Sequence, residues 1–373
     1  MNLSKLYQTQ ISLTEWFQRM GLENSEAHRK EDNEKRERLA VLNAYFGLPF
    51  DRPTQFPASD VANRTEVFVK FVDERGDELC ALRLIPHDPS LPKLRTRGAS
   101  IRDSLKWFAE QNVNPELYKA DFVPHPADHV WSTIFVVNQY GAFGQIVVGS
   151  HNQLTQGFYD EGTEPITFAW NGSVVETNPK NVDAETHLLD VLELLRVSDS
   201  AVRNQLVDKF DAKFFGEHLC GYFETASSKQ FGTWFIDWNR ILGESYAERK
   251  APPPYEGGGR GEVCTLNGQI GSPGIATGQA FVLCAADFSS DVRLPTPDEP
   301  FILVTDMTTP DFLPLMMKAG GVVTAWGGIL CHAAIVCREL GKPCLTNVNG
   351  LLELISDGAM VELDADRGVL RLR

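Results

Sequence analysis

The chain has 373 residues, 43% of them hydrophobic, which is enough length and apolar content for two or three domains with sizeable cores. No run approaches the roughly 18 apolar residues of a membrane span, and the opening MNLSKLYQTQISLTEW lacks a signal-peptide core, so a cytoplasmic protein is expected. A net charge of −15 opposes non-specific binding to nucleic acid or anionic membrane, and seven scattered cysteines with no CxxC indicate reduced thiols, not a disulfide frame or a zinc site.

In chain order, the mixed-charge run from Glu26 to Arg38 (EAHRKEDNEKRER) leads into LAVLNAYFGL and reads as a helix with a solvated first half, rather than a binding surface. TEVFVKFV (65–72) and ELCALRLI (78–85) alternate or run apolar about Asp73–Asp77 and predict a hairpin. A helix is expected near 100–112. A second hairpin follows, STIFVVN (132–138) and QIVVGS (145–150) about Gln139–Gly144. The stretch 186–210 has leucines and valines at helical spacing and predicts a long helical region. GYFET (221–225) and GTWFIDW (232–238) form a third strand pair. Strand pairs separated by helices predict an α+β domain with antiparallel sheet over 1–250. At 251–261, APPPYEGGGRG holds three prolines and four glycines and reads as a linker, stiff in its first half and free in its second.

The last stretch, 262–373, has the size of one small domain. Phe301–Val304 is strand-like. Thr309, Pro310 and Asp311 are a helix start, closed by Gly320 and Gly321. A short strand, Val322–Thr324, then runs into Gly327 and Gly328, where the backbone is free to take positive φ. His332 comes next, and Ala333–Leu340 has helical spacing closed by Gly341 and Pro343. The imidazole therefore stands at a helix N-terminus, where free backbone N–H groups and the helix dipole favour negative charge. A neutral imidazole nitrogen is also a nucleophile toward phosphorus. On the residues alone, a capping histidine and a phosphoryl carrier both remain open.

These residues resemble the phosphohistidine swivelling domain of the phosphoenolpyruvate-utilising enzymes, especially their ATP-dependent dikinase branch. The likeness covers roughly 262–373. It opens with GQIGSPGIATGQAFVL (268–283), continues through ILVTDMTTPDFLPLMMKAGGVVT (302–324) and peaks at the glycine pair, CHAAIV and RELGKP. It implies that His332 is phosphorylated, within a loop that includes Thr324, Gly327, Gly328, Cys331 and Arg338. Trp326 stands where the family often has a basic residue, and Leu330 where it often has a polar one.

The resemblance also implies a phosphoryl donor and an acceptor. About 30 residues follow the histidine helix, too few for a (β/α)₈ acceptor barrel of about 250 residues, so the acceptor is expected to be a small molecule or a separate subunit. For the donor, Glu224 with Asp237 and Asn239 resembles the acidic-plus-DxN metal site of ATP-grasp domains. By themselves the three are equally polar side chains on a half-buried hairpin. Arg83 on a strand, and Lys93, Arg95 and Arg97 in the loop LPKLRTRGAS, are the candidate phosphate cations. SHNQLTQG (150–157) is polar and glycine-ended, and its His151 is equally an ordinary surface histidine. No GxxxxGKS or GxGxxG is present.

The expectation is thus an α+β/α/β multidomain chain, with an ATP-grasp-like domain over 1–250, shortened or degenerate, joined by the linker to a β/β/α phosphohistidine domain. It would be a phosphotransferase using ATP and Mg²⁺. The competing expectation is a non-catalytic phosphohistidine carrier or ligand-binding subunit.

Overall fold

Charge pairing decides the first element. Helices α1 (Ser25–Asn33) and α2 (Lys35–Phe46) follow one another, and the charged run that builds them is not a solvated face: Glu31 and Arg38 are 2% exposed and His28 is 4% exposed. Glu31 accepts from Arg240 at 2.6 Å and lies 3.4 Å from Arg38, which also donates to the Trp238 carbonyl at 3.1 Å. The partners lie about 200 residues away, so local pattern does not reveal them. The computed structural model describes residues 25–88, 91–92, 94–126, 128–156, 159, 162–248, 265–288 and 301–373; the linker at 251–261 and Lys93 lie outside these.

Strand β1 (Thr54–Pro57) is followed by helices α3 (Ala58–Asn63) and α4 (Glu66–Arg75). Helix α4 replaces the first strand of the predicted hairpin. Phe68, Phe71 and Val72 are buried while Val67 is 70% exposed, so the apolar side chains follow the i, i+3, i+4 pattern of a helix and not alternation. Phe56, Phe68, Phe71 and Phe122 interlock with ring centroids 5.1–6.2 Å apart, which holds α4 on its sheet. That sheet adds β2 (Leu79–Pro86), β3 (Leu94–Ser100) and, after helix α5 (Ile101–Glu110), β4 (Tyr118–Pro124), in the order β1-β4-β2-β3.

Strands β5 (His129–Asn138) and β6 (Gly141–Val148) form the second hairpin as expected. Gly141 sits at φ 121° at its tight turn, where an added Cβ would strike the Trp170 carbonyl. Helix α6 (Asn152–Gln156), β7 (Ile166–Trp170) and β8 (Val175–Asn178) follow. The long helical region proves to be two helices, α7 (Val182–Glu193) and α8 (Ser200–Phe210). They are separated because Asp199 caps the second and Val197 N–H bonds the Glu217 carbonyl at 2.8 Å. A small pair, β9 (Phe214–Phe215) and β10 (His218–Leu219), precedes the third hairpin, β11 (Gly221–Ser228) and β12 (Gly232–Asn239), and helix α9 (Arg240–Ser245). The larger sheet has the order β12-β11-β5-β6-β7-β8 and is wholly antiparallel.

Beyond the linker, β13 (Thr265–Asn267), β14 (Gln269–Ser272), β15 (Ile275–Val282), β16 (Phe301–Thr305), helix α10 (Leu313–Lys318), β17 (Gly321–Thr324), helix α11 (His332–Glu339), β18 (Cys344–Thr346), helix α12 (Leu351–Leu354), β19 (Met360–Asp364) and β20 (Val369–Leu372) form one mixed sheet with helices. Its order is β13-β20-β19-β15-β16-β17-β18-β14, parallel from β15 to β18 and antiparallel elsewhere. The chain is a mixed α/β protein.

The C-terminal part packs against the six-stranded sheet, largely through its helices and the loop before His332. A single apolar cluster joins Ile134, Phe143, Leu154, Leu242 and Tyr246 to Phe312, Met316, Leu330 and Ile335. Each such large side chain contributes on the order of 1.5–3 kcal/mol by burial. Around it, Gln145 donates to Gln269 at 3.3 Å, the Arg338 guanidinium lies 4.5 Å from the centre of the Tyr246 ring, and His28 approaches Glu339 at 4.0 Å. These contacts fix where His332 points.

Candidate active site

His332 is the first residue of α11, with Cys331 at the cap position, so its backbone lies at the end of the helix where N–H groups lack intrahelical partners. The loop before it is shaped by two features. Thr324, fully buried, donates its hydroxyl to the Trp326 carbonyl at 2.6 Å, and Gly327 takes φ 110°, a region that suits glycine. A Cβ at Gly328 would run into the side-chain amide of Gln145, so this glycine permits close approach of the two sheets. Cys331 is buried against Gly327, and burial pushes its thiol up to about 11. Burial pulls the His332 imidazole down; Glu224 opposes this, His151 and Arg95 add to it, and the result is about 4. The ring is therefore neutral at physiological pH.

Across from His332 lies a wall of carboxylates. Glu224 on β11 and Asp237 on β12 are register partners on neighbouring strands. Both oxygens of Glu224 are engaged, Oε1 by the Tyr222 hydroxyl at 2.8 Å and Oε2 by His151 Nε2 at 2.9 Å. Burial alone would raise its carboxyl, but His151, Lys35 and the Tyr222 hydroxyl outweigh that and hold it well below the usual range. Asp237 moves the other way: burial raises it, Lys35 opposes, and the nearby charges of Glu224 and Asp32 raise it further. Its Oδ1 is buried and accepts no hydrogen bond among the described residues, which fits a cation as partner. Lys35 Nζ stands 3.5 Å from Asp32 and 3.7 Å from Asp237, an ammonium already placed between two carboxylates.

A second wall is cationic. Arg83 on β2, Arg95 and Arg97 on β3, and Arg36 on α2 act on one another, with Asp121 the register partner of Arg83 and bonded to Gln55 at 2.9 Å. Burial and the repulsion of Arg95 and Arg83, only partly offset by Glu224, bring Arg97 down to about 9. Burial, His129, Arg97 and Arg83 bring His125 down to about 4. Guanidiniums gathered so closely repel one another, and an anionic ligand would reverse the sign of that interaction.

The structure brings His332, Glu224, Asp237, Arg83, Arg95 and Arg97 to one place; Lys93 lies outside the described residues. Arg338 is nearly two turns along α11 from His332, donates to the Gly271 carbonyl at 2.6 Å and stacks on Tyr246, contacts that hold the helix in its seat. Asn239 is the last residue of β12, where the chain turns into the helix, and its Oδ1 caps α9 by accepting from Leu242 N–H at 2.9 Å. His151 is not an ordinary surface residue but the ion-pair partner of Glu224. Lys35, Arg36 and Asp32 were missed because their run reads as a solvated helix. Among the described residues no three carboxylate, imidazole or thiolate groups converge as a metal set.

Residues 297–368 match the family described as PEP-utilising enzyme, mobile domain. The match lies within the C-terminal part of this chain and includes His332. A probable phosphoenolpyruvate synthase of Archaeoglobus fulgidus is 42% identical over 105 residues, 28% of this chain and 13% of that protein. The phosphoenolpyruvate synthase of Aeropyrum pernix is 37% identical over 133 residues, 36% of this chain and 15% of that protein. That of Escherichia coli K12 is 46% identical over 67 residues, 18% and 8%. The match to the mobile domain thus spans a small part of these curated relatives. Among solved structures, the N5-carboxyaminoimidazole synthase of Aspergillus clavatus has a TM-score of 0.31 at 11% identity, covering 59% of this chain and 52% of that one. The ATP-grasp ligase PsnB has 0.28 at 11%, covering 60% and 57%. TM-scores this low carry no argument about the N-terminal fold. No helix among the described residues is long and apolar enough to cross a membrane.

Proposed function

We propose that the chain is an ATP-dependent phosphotransferase in which His332 takes a phosphoryl group from a nucleotide held by the N-terminal charge cluster and delivers it to an acceptor. The observation that supports this most is the seating of a neutral imidazole, at the N-terminus of a mobile-domain helix, against Glu224, His151 and Arg95. A neutral ring nitrogen is a nucleophile, and the helix end stabilises the anionic group it would acquire. Arg83, Arg95 and Arg97 would hold the polyphosphate, and Asp237, with Glu224 once released from His151, would hold Mg²⁺. That ion supplies charge neutralisation on the phosphate oxygens.

Attack on the β-phosphorus forms a nitrogen–phosphorus bond, breaks the bond to the α-phosphate oxygen and releases AMP. The diphosphoryl group left on His332 then loses its terminal phosphate to water before a single phosphoryl group is passed on. Attack on the γ-phosphorus would release ADP instead. The acceptor is a small molecule or a separate subunit reached when the mobile domain leaves the seat described above.

A second reading, a phosphohistidine carrier that does not turn over ATP, is favoured by the closure of Glu224 between Tyr222 and His151. Incubation with Mg²⁺ and ATP labelled at the β or the γ position distinguishes the two. The phosphotransferase predicts acid-labile label with AMP release; absence of label in the wild-type chain supports the carrier.

A further inference from the structure

We propose that Arg36 is a phosphate-binding residue of the donor site, taking the polyphosphate of a nucleotide on the Nε–Nη2 edge of its guanidinium, in concert with Arg83. The proposal rests on the reading of the N-terminal part as a nucleotide site, but nothing in the motif likeness points to this helix.

The Arg36 side chain is pinned at one end only. Its Nη1 donates to the Asp51 carbonyl at 2.9 Å and pairs with the Asp51 carboxylate. Asp51 is in turn tied to β12, the strand of Asp237, through its N–H to the Phe235 carbonyl at 3.4 Å. The other edge is different: Nε and Nη2 are buried and make no hydrogen bond among the described residues. Buried guanidinium N–H groups are ordinarily satisfied, and here a whole edge of two nitrogens is left for a ligand.

The charges around Arg36 identify the chemistry of the ligand. Arg83 repels it, while Asp237, Asp121 and Asp32 attract it from β12, β4 and α1, and burial with Arg83 brings it down to about 9. One guanidinium held beside another, with carboxylates at the margin, is an arrangement for an oligo-anion with a metal cation at its side. The planar fork of arginine matches two oxygens of one phosphate, which a lysine ammonium cannot reproduce. Lys35, the preceding residue, stands 3.5 Å from Asp32 and 3.7 Å from Asp237, so its ammonium is engaged by the carboxylates and not by the open edge of Arg36.

The test is equilibrium binding of ATP, AMP and inorganic tripolyphosphate, each with Mg²⁺, to the full chain and to Arg36→Gln, Arg36→Lys and Asp51→Asn. Arg36→Gln and Arg36→Lys are expected to weaken ATP and tripolyphosphate at least about tenfold while changing AMP less than about twofold. Asp51→Asn, which breaks the same ion pair but keeps the guanidinium, is expected to stay within about threefold of the wild type. Wild-type affinity for tripolyphosphate in both Arg36 variants, or an equal loss in Asp51→Asn, overturns the proposal and leaves the donor-site reading standing. A wild-type chain that binds neither ATP nor tripolyphosphate removes both. Should Arg36→Gln lose its cooperative thermal transition, Arg36→Lys, which retains the charge, decides the matter.

Discussion

Two faces meet at His332, and they are made of opposite materials. The face that carries the imidazole is apolar: Ile329, Leu330, Cys331, Ala333 and Ala334 are all buried, and its one arginine, Arg338, is committed to Gly271 and Tyr246. The face it meets is crowded with Asp32, Lys35, Arg36, Arg83, Arg95, Arg97, Asp121, His151, Glu224 and Asp237. A carrier that must release its cargo is better served by a helix end and a neutral ring than by its own arginines. On the proposed function, the charges that would hold a polyphosphate belong on the face opposite His332.

Replacing the one functional group on the apolar face has the largest expected effect. His332→Asn should abolish acid-labile labelling from ATP altogether, read as labelled protein retained on a filter before and after acid; residual wild-type label would move the nucleophile elsewhere. Substitutions on the charged face should slow the reaction without removing the nucleophile. Asp237→Asn and Arg83→Met are each expected to lower the labelling rate by about 100-fold or more, in line with losing one electrostatic group from a phosphoryl-transfer site. A change under about threefold in either would show that the charged face is structural.

The contrast between the faces also sets protonation. An imidazole whose ordinary value is near 6.5 falls to about 4 here, chiefly by burial, so on the proposed function seating His332 would expel a proton. The sign follows: His332's contribution to the seated state is fully present above about pH 6.5 and fades as pH falls toward 4. In a nitrogen-15 NMR titration His332 should titrate near 4 in the wild type. It should move toward 6.5 in Arg338→Ala, which loses the contact with Tyr246; a wild-type midpoint near 6.5 would contradict the seating. The smallest effect is expected at the point of closest approach. Gly328→Ala should lower labelling about two- to fivefold by displacing the Gln145 amide, and Gln145→Ala should restore it; no rescue would mean that the loop itself, not the approach of the sheets, is what the glycine protects.

Much of the C-terminal part was legible because its signals are local, above all the pair Gly327 and Gly328 and a histidine at the head of an apolar helix; the start expected at Thr309 is instead a 3₁₀ turn over Pro310–Phe312, and the α-helix begins at Leu313 without a side-chain cap. The hairpins β5–β6 and β11–β12 were legible for the same reason, their alternation lying within a few residues of each turn. What was not legible depends on partners far along the chain. Glu31 and Arg38 look solvated until Arg240 and the Trp238 carbonyl are found beside them. The segment 65–72 alternates well enough to pass for a strand, and only the packing of Phe68 and Phe71 on Phe56 and Phe122 selects the helix. Arg338 sits close to His332 in sequence, but its contacts with the Tyr246 ring and the Gly271 carbonyl depend on partners far along the chain. Asn239 follows Asp237 by two, the spacing of a strand, yet the strand ends there and its amide caps the next helix.

The central claim is that the nucleophile lies on one face and its activating charges on the other. The most direct measurement is mass-spectrometric location of the phosphoryl group after brief reaction of the full chain with ATP and Mg²⁺, under conditions that preserve phosphohistidine. The account predicts modification on the peptide containing His332, strongly reduced in Asp237→Asn even though that peptide is untouched. Modification at another residue, or unchanged modification of His332 in Asp237→Asn, would contradict it.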